Sequence, residues 1–453
     1  MTSSLARALM HLGHDPCLIL PRYGSITAPV EDVPGSGFPV SFMGSREQVA
    51  LQKTTLEGGI PVYLVQNENY LGACQIYDRE ELKRFLLFST SLPEAIARLG
   101  LRPDVIHCHD WHTALAPLYL RQAGAEAPCV FTIHNLAYQG PFDREFLLQS
   151  GLSTTWQEHT PSEAPEPGLN FMSQGILLAD FITTVSPNYA SEILTPHYGE
   201  GLERLLHYRR NELCGITNGI DYDEYNPATD PHLARNYDSD TIPGRVDNKI
   251  ALQKECGLPQ EYGVPLFGMV SRLEEQKGID LLLQAIDRFI TETGSQLVAL
   301  GEGREHYQRL LGRLALQFPD RLSVFTGYDE RLGRLIYGGA DMLLMPSRFE
   351  PCGLGQLIAM RYGAVPVVRH TGGLVDTVHD VAQDDGNGYV FQGYTVPELL
   401  QAVKRAEAGF YDRDDWQSLM RRNMNLDFSW KASAGKYEEI YLLARDTFRA
   451  RSG

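Results

Sequence analysis

The sequence predicts an α/β protein built from two doubly wound parallel-sheet domains. Short apolar runs recur along both halves of the chain and alternate with stretches of helical period. Runs such as VPLFGMV and DMLLMP are apolar on both faces, as strands covered on both sides by helices must be. The 453 residues, at roughly 150 per domain, supply two or three cores.

In the second half, strands are expected at Val264–Val270, Gln296–Leu300, Leu322–Thr326, Asp341–Met345, Ala364–Val368 and Tyr389–Phe391. Between the first two, Gly278–Ile290 places Ile279, Leu282, Leu283, Ile286, Phe289 and Ile290 along one stripe of a helix. The first half is less regular. Its strands are expected at Pro16–Leu20, Val62–Val65, Val105–Cys108, Cys129–Ile133, Phe181–Val185 and Cys214–Thr217. Thr154–Gly168 is polar and proline-rich and reads as a surface loop. Asn226–Asp247 sits where the two rhythms meet and reads as the domain linker, and Ser429–Arg449 as an amphipathic final helix. Two such domains imply a cleft, with ligands beyond the C-terminal strand ends.

Composition narrows the function classes. Lys and Arg number 40 against 57 Asp and Glu, a net charge of −17, so no long-range field attracts nucleic acid or an anionic membrane. An anionic ligand must be held by a few local basic groups. No apolar run approaches the ~18 residues of a membrane span, and no basic head with an apolar core opens the chain. Seven scattered cysteines without a CxxC pair fit reduced thiols in a cytoplasmic protein.

Three segments carry candidate chemistry. In Asp341–Val378 an apolar strand ends at Pro346, a loop carries Glu350, and a helix opens near Cys352, Gly353, Leu354 and Gly355. Bare N–H groups at that helix start suit an anion, and Glu350 suits sugar hydroxyls. A packing turn explains the same spacing equally. In Ser271–Gly278, Arg272 and Lys277 could neutralise a diphosphate. Taken alone, a solvated loop with two stray cations explains that segment better. The third segment, His107–His112, raises a metal site. However, His107 and His109 share one strand parity, which favours core or capping roles. Asp110, at that strand end, and His134, at the end of the neighbouring strand, would face the cleft. Asp221–Asp223 and Asp238–Asp240 match a D-x-D pattern in turn-rich sequence and are read as chance. Gly301-Glu302-Gly303 lacks the third glycine of a dinucleotide fingerprint.

Taken together, the strings HCHDWHTAL, FTIHNLAYQG, TTVSPNYASEI, GITNGIDYDEYNP, SRLEEQKGIDLL, FTGYDE, PSRFEPCGLGQL and RYGAVPVVRHTGGLVDTV resemble bacterial glycogen synthases and plant starch synthases, the ADP-glucose-using glycosyltransferases of family five. The resemblance runs from about residue 4 to FSWKASAGKYEEIY. It implies a GT-B architecture, two Rossmann-like domains facing a cleft. Residues 1–240 would form the glucan domain and 241–428 the nucleotide-sugar domain, with 429–453 crossing back as a helix. It implies retaining transfer of glucose from ADP-glucose to the non-reducing end of an α-1,4-glucan, with no metal and no cofactor.

By motif position, Arg272 and Lys277 would bind the diphosphate, Glu350 the donor glucose, and Cys352, Gly353, Leu354 and Gly355 the phosphates and sugar. His134 and Asp110 would lie by the reacting sugar, Tyr328 would stack on adenine, and Asn218, Thr371 and Gly372 would complete the donor site. The resemblance also implies a strand and a K-x-G-G-L loop, roughly 15–25 residues, ahead of the first helix. Here they are not found, which points either to an internal start or to an impaired glucan-binding paralogue. Gly355 stands where many members carry Thr, and Phe171–Gly175 lacks a lysine common there. Sucrose- and trehalose-type transferases usually carry a second Glu eight residues after the first, where this chain has Ile358.

Overall fold

The computed structural model describes residues 1–72, 76–152, 163–166 and 168–452. The chain divides into two compact units, one of residues 1–216 with 433–453 and one of residues 217–432.

The second unit is built on a six-stranded, wholly parallel sheet of β10 (Leu266–Val270), β11 (Gln296–Gly301), β12 (Leu322–Thr326), β13 (Met342–Met345), β14 (Val365–Arg369) and β15 (Tyr389–Phe391). Its order is β12-β11-β10-β13-β14-β15. The chain therefore moves outward from β10 in one direction and returns to start again at β13, so the sheet reverses between these two neighbours. Loops leaving adjacent strands at such a reversal diverge and leave room for a ligand. The helix Ile279–Glu292 lays Ile279, Leu282, Ile286 and Phe289 on the sheet, each fully buried. Each such side chain contributes about 1.5–3 kcal/mol of transfer free energy.

The first unit holds its strands in two sheets among the described residues. One is parallel, in the order β6 (Ile106–His109), β7 (Cys129–Ile133), β8 (Phe181–Thr184) and β9 (Leu213–Gly215). The other pairs β1 (Leu18–Pro21) parallel to β5 (Pro61–Gln66), with β2 (Glu31–Asp32), β3 (Phe38–Phe42) and β4 (Ser45–Thr55) added antiparallel. The β3–β4 hairpin was not expected from sequence. Its Met43-Gly44 turn takes positive φ at both residues, the twist-matched two-residue hairpin, without an Asn-Gly signal. Along β4, SREQVALQKTT buries only Val49 and Leu51, too few apolar positions to read as a strand.

The helix Trp430–Ser452 belongs to the first unit from Ser433 onward. Ala444 packs with Val130 and Phe181, and Tyr441 donates to or accepts from His107 Nδ1 at 2.7 Å.

The expected linker is corrected. Residues 226–247 lie within the second unit, and the division falls at 216/217, not at 240/241. The stretch reads as a loop because it is polar, yet those polar groups satisfy buried backbone. Arg245 donates to the carbonyls of Tyr362, Tyr337 and Ala340, and Tyr237 Oη donates to Tyr362 O at 2.6 Å. Asp230 accepts from the Tyr362 hydroxyl at 2.5 Å. The return to the first unit likewise falls at 432/433, inside the final helix and not at 428/429. The expected loop Thr154–Gly168 lies mostly outside the described residues.

Candidate active site

In the second unit the strand reversal between β10 and β13 brings two loops together. Ser271–Lys277 follows β10, and Ser347–Glu350 follows β13. Gly278 makes the approach possible. Its φ is +76°, and a Cβ there would lie 2.0 Å from the Pro346 carbonyl oxygen. Lys277 Nζ then donates to both oxygens of Glu350, at 2.8 and 2.6 Å, across 73 residues of sequence. The Ser347 hydroxyl donates to Glu350 Oε2 at 3.0 Å. Glu350 is 4% exposed, so this is a largely desolvated ion pair whose carboxylate has a second donor.

Arg272 is aimed by a neighbour that sequence reasoning did not single out. Its Nη2 donates to Gln276 Oε1 at 3.1 Å, and its Nη1 to Glu274 at 3.3 Å. The Gln276 backbone carbonyl accepts from Arg348 N at 2.9 Å, and its side-chain amide reaches Phe349 O at 3.5 Å. Gln276 therefore ties the first loop to the second immediately before Glu350.

Beyond Glu350 the chain turns through Cys352, Gly353 and Leu354 into the helix Gly355–Arg361. The first amide N–H groups of a helix have no intrahelical acceptor. Burial pushes the Cys352 thiol up to about 12, with hydrogen bonding from Asn218 acting the other way. Gly372, at φ +50°, lies so close to the preceding loop that a Cβ would sit 1.9 Å from Glu350 O. The neighbouring Gly373 N donates to that same carbonyl at 2.9 Å.

Among the described residues, three buried side-chain oxygens in this region have no hydrogen-bond partner: Asn218 Oδ1, Thr371 Oγ1 and Gln356 Oε1. A buried polar atom left alone costs on the order of 1–3 kcal/mol, so three together mark a place where a polar ligand or water would be favoured. Gln356 was not singled out from sequence. Its Nε2 donates to the carbonyls of Cys352 and Gly353 and to Thr377 Oγ1, which fixes the turn.

Tyr328 stands 83% exposed on the turn after β12, at a cavity of about 320 Å³. Arg272, Gly301, Glu302 and Ile358 also line this cavity. Ile358 thus supplies apolar wall where a second carboxylate would otherwise stand. The two D-x-D matches are turns: Asp221 Oδ1 accepts from Asp223 N at 3.1 Å, and Asp238 Oδ1 from Thr241 N at 2.9 Å.

In the first unit, Asp110 and His134 follow the adjacent parallel strands β6 and β7. Asp110 takes φ +56° and ψ −179°, a conformation costing on the order of 1–3 kcal/mol for a residue with a Cβ. Hydrogen bonds to the neighbouring strand hold it there. Its N–H donates to Thr132 O at 2.9 Å, and its Oδ1 accepts from His134 N at 2.8 Å. Burial raises the Asp110 carboxyl to about 6 despite those bonds. Burial likewise lowers His134 to about 3, so its imidazole is neutral at physiological pH.

The histidines around them divide into separate roles. His107 engages Tyr441 Oη through Nδ1 and Thr132 Oγ1 through Nε2, the latter at 2.6 Å. With both nitrogens occupied, His107 anchors the final helix. His112 Nε2 lies 3.1 Å from Tyr77 Oη. His109 faces His134.

Comparison with known proteins places this geometry in a family. Residues 1–208 match the family described as the starch synthase catalytic domain, and residues 264–407 match the glycosyl transferases group 1 family. Glycogen synthase 2 of Geobacter sulfurreducens is 44% identical, covering 99% of this chain and 96% of its own. Glycogen synthase 1 of Synechocystis is also 44% identical, over 97% of this chain and 90% of its own. Among solved structures, the catalytic domain of starch synthase IV from Arabidopsis thaliana, bound to ADP and acarbose, superposes with a TM-score of 0.90 at 34% identity, covering 98% of this chain and 95% of its own. Sucrose-phosphate synthase from Thermosynechococcus elongatus, at 17% identity and a TM-score of 0.62, shares the fold. With GT-B folds as its structural neighbours and glycogen synthases matching nearly its whole length, the chain belongs to the glycogen synthase and starch synthase family of glycosyltransferases.

Proposed function

We propose that this chain moves glucose from ADP-glucose to the non-reducing end of an α-1,4-glucan, with retention at the anomeric carbon. The observation that carries the reading is the gathering, in the second unit, of Arg272, the Lys277–Glu350 pair and three buried oxygens that lack partners. In the reaction the bond from the anomeric carbon to the diphosphate oxygen breaks. A bond to the 4-hydroxyl oxygen of the acceptor forms on the same face, and the hydroxyl proton leaves with the diphosphate.

The leaving diphosphate gains negative charge as the sugar becomes oxocarbenium-like. Arg272 and Lys277 stabilise that charge as it develops, from positions set before the donor arrives. Glu350 holds Lys277 in place and offers its carboxylate to the glucose hydroxyls. Asn218, Thr371 and the turn Cys352–Gly355, with Gly372 permitting close approach, bind sugar and phosphates, and Tyr328 covers the adenine. His134 and Asp110, in the first unit, contact the glucose near its reacting face. Two fixed cations at the diphosphate take the part that a divalent metal plays in other transferases, so no metal or cofactor is required. We place the reaction in the cytoplasm, where unpaired thiols such as Cys108, Cys129 and Cys256 stay reduced.

The test is extension of maltoheptaose by the purified chain with ADP-glucose or UDP-glucose, each with and without EDTA. Extension from ADP-glucose that persists in EDTA is expected. Glucan binding without extension from either donor would overturn the reading in favour of a glucan-binding paralogue, and loss of extension in EDTA would overturn the metal-free mechanism.

A further inference from the structure

His109 has no part in the donor site described above, yet it is the side-chain partner of His134. The register of the parallel pair places His109 opposite Thr132. Side chains alternate along a strand, so His134, two residues further, projects to the same face. The two rings stack with centroids 5.2 Å apart and planes 18° from parallel, and His109 Nδ1 lies 3.0 Å from His134 Nε2. His107 cannot take this place, because both of its ring nitrogens are already engaged.

Two neutral imidazoles joined by one hydrogen bond share one proton between the facing nitrogens. The other nitrogen of His134, Nδ1, is shut off from solvent and has no partner among the described residues. A buried N–H without an acceptor is rarer and costlier than a lone pair without a donor. The proton of His134 therefore belongs on Nε2, donated to His109 Nδ1, and His109 carries its own on Nε2.

We propose that His109 is a positioning residue: by accepting from His134 Nε2–H it fixes the tautomer and ring orientation of the histidine that meets the donor glucose. This rests on the reading of His134 given under the proposed function. Orientation matters because a small displacement of a contact group lowers turnover more than ground-state binding.

The experiment compares His109→Leu, His109→Asn and His134→Ala. Asn carries its side-chain oxygen near the position of Nδ1 and keeps the acceptor, whereas Leu fills the space without one. His109→Leu is expected to lower kcat for glucose transfer about tenfold or more, with KM for ADP-glucose changed less than threefold. His109→Asn is expected to restore most of kcat. Nitrogen-15 NMR of histidine-labelled protein is expected to show His134 protonated on Nε2 in the unsubstituted chain and in His109→Asn. If His109→Leu fails to fold, the NMR assignment and the Asn variant still decide the matter. Protonation of His134 on Nδ1 in the unsubstituted chain would overturn the inference. So would unchanged kcat in His109→Leu beside a damaged His134→Ala, which leaves the reading of His134 standing. Unchanged transfer in His134→Ala instead overturns that reading and the catalytic consequence drawn here from it.

Discussion

The two units bring different chemistry to their candidate residues. In the second, Lys277 and Glu350 form an ion pair across two loops, Arg272 stands beside them at the surface, and the fold leaves polar oxygens waiting in the interior. In the first, the groups are imidazoles stripped of charge by burial and a carboxyl pushed up to about 6. A diphosphate must be met by charge, whereas a neutral sugar ring is oriented by directional hydrogen bonds. The contrast teaches that the fold uses burial in opposite ways. Around Lys277 and Glu350 it keeps ions by pairing them, and around Asp110 and His134 it removes charge and keeps geometry.

That contrast is open to breaking. Lys277→Ala removes a cation from the phosphate side and strands the buried Glu350 carboxylate. It is expected to lower kcat by about 10²–10³, by analogy with loss of one preorganised donor, and Lys277→Arg is expected to recover little because its fork does not match a point charge. Steady-state rates of glucan extension check this, and a loss smaller than tenfold would place the phosphate-side charge elsewhere.

Asp110 tests the sugar side through pH. With its carboxyl at about 6, the ionised fraction falls about tenfold between pH 7 and pH 5, and kcat/KM should fall with it on the acid side. Asp110→Asn should flatten that limb at a lower plateau. Stability moves in the opposite sense. A folded-state value above the ordinary 3.8 means that the folded chain binds the proton more tightly than the unfolded chain. This group therefore lowers stability as pH rises from about 4 to about 6, by up to about 3 kcal/mol. Denaturant titrations of the two proteins at pH 4 and pH 7 should show that difference disappear in Asp110→Asn.

Smaller effects sharpen the comparison. Gln276→Leu keeps every proposed ligand contact but removes the acceptor of Arg272 Nη2, and about a five- to tenfold loss in kcat with little change in glucan affinity is expected. An unchanged kcat would mean that Arg272 needs no support. Gly355→Thr is expected to be tolerated, since the atoms nearest a Cβ there belong to the Met345 and Leu343 side chains, at 3.4–3.5 Å. The added hydroxyl should lower KM for ADP-glucose about two- to threefold, measured against an unaltered melting temperature.

Local sequence determined much of this protein. The two-faced apolar runs mark the strands of the second unit to within a residue or two, and the stripe from Ile279 to Ile290 marks its helix. Both signals are periodic and short in range. The strings around Arg272, Glu350, His134 and Asp110 were legible as candidates for the same reason, because each sits at the end of an apolar strand.

Tertiary structure decided what pairs with what. Sequence left the Ser271–Gly278 segment open between a diphosphate site and a solvated loop, and only the reversal of strand order at β10 and β13 lays Lys277 on Glu350. It read 226–247 as a linker because its polarity is visible locally, while the carbonyls that Arg245 and Tyr237 satisfy lie about a hundred residues away. It did not single out Gln276 or Gln356 and read His109 only for a core or capping role, because their roles are hydrogen bonds to partners that no periodicity marks. A strand announces itself through its neighbours in sequence, but a polar side chain buried in a core takes its meaning from whichever distant group the fold sets within 3 Å of it.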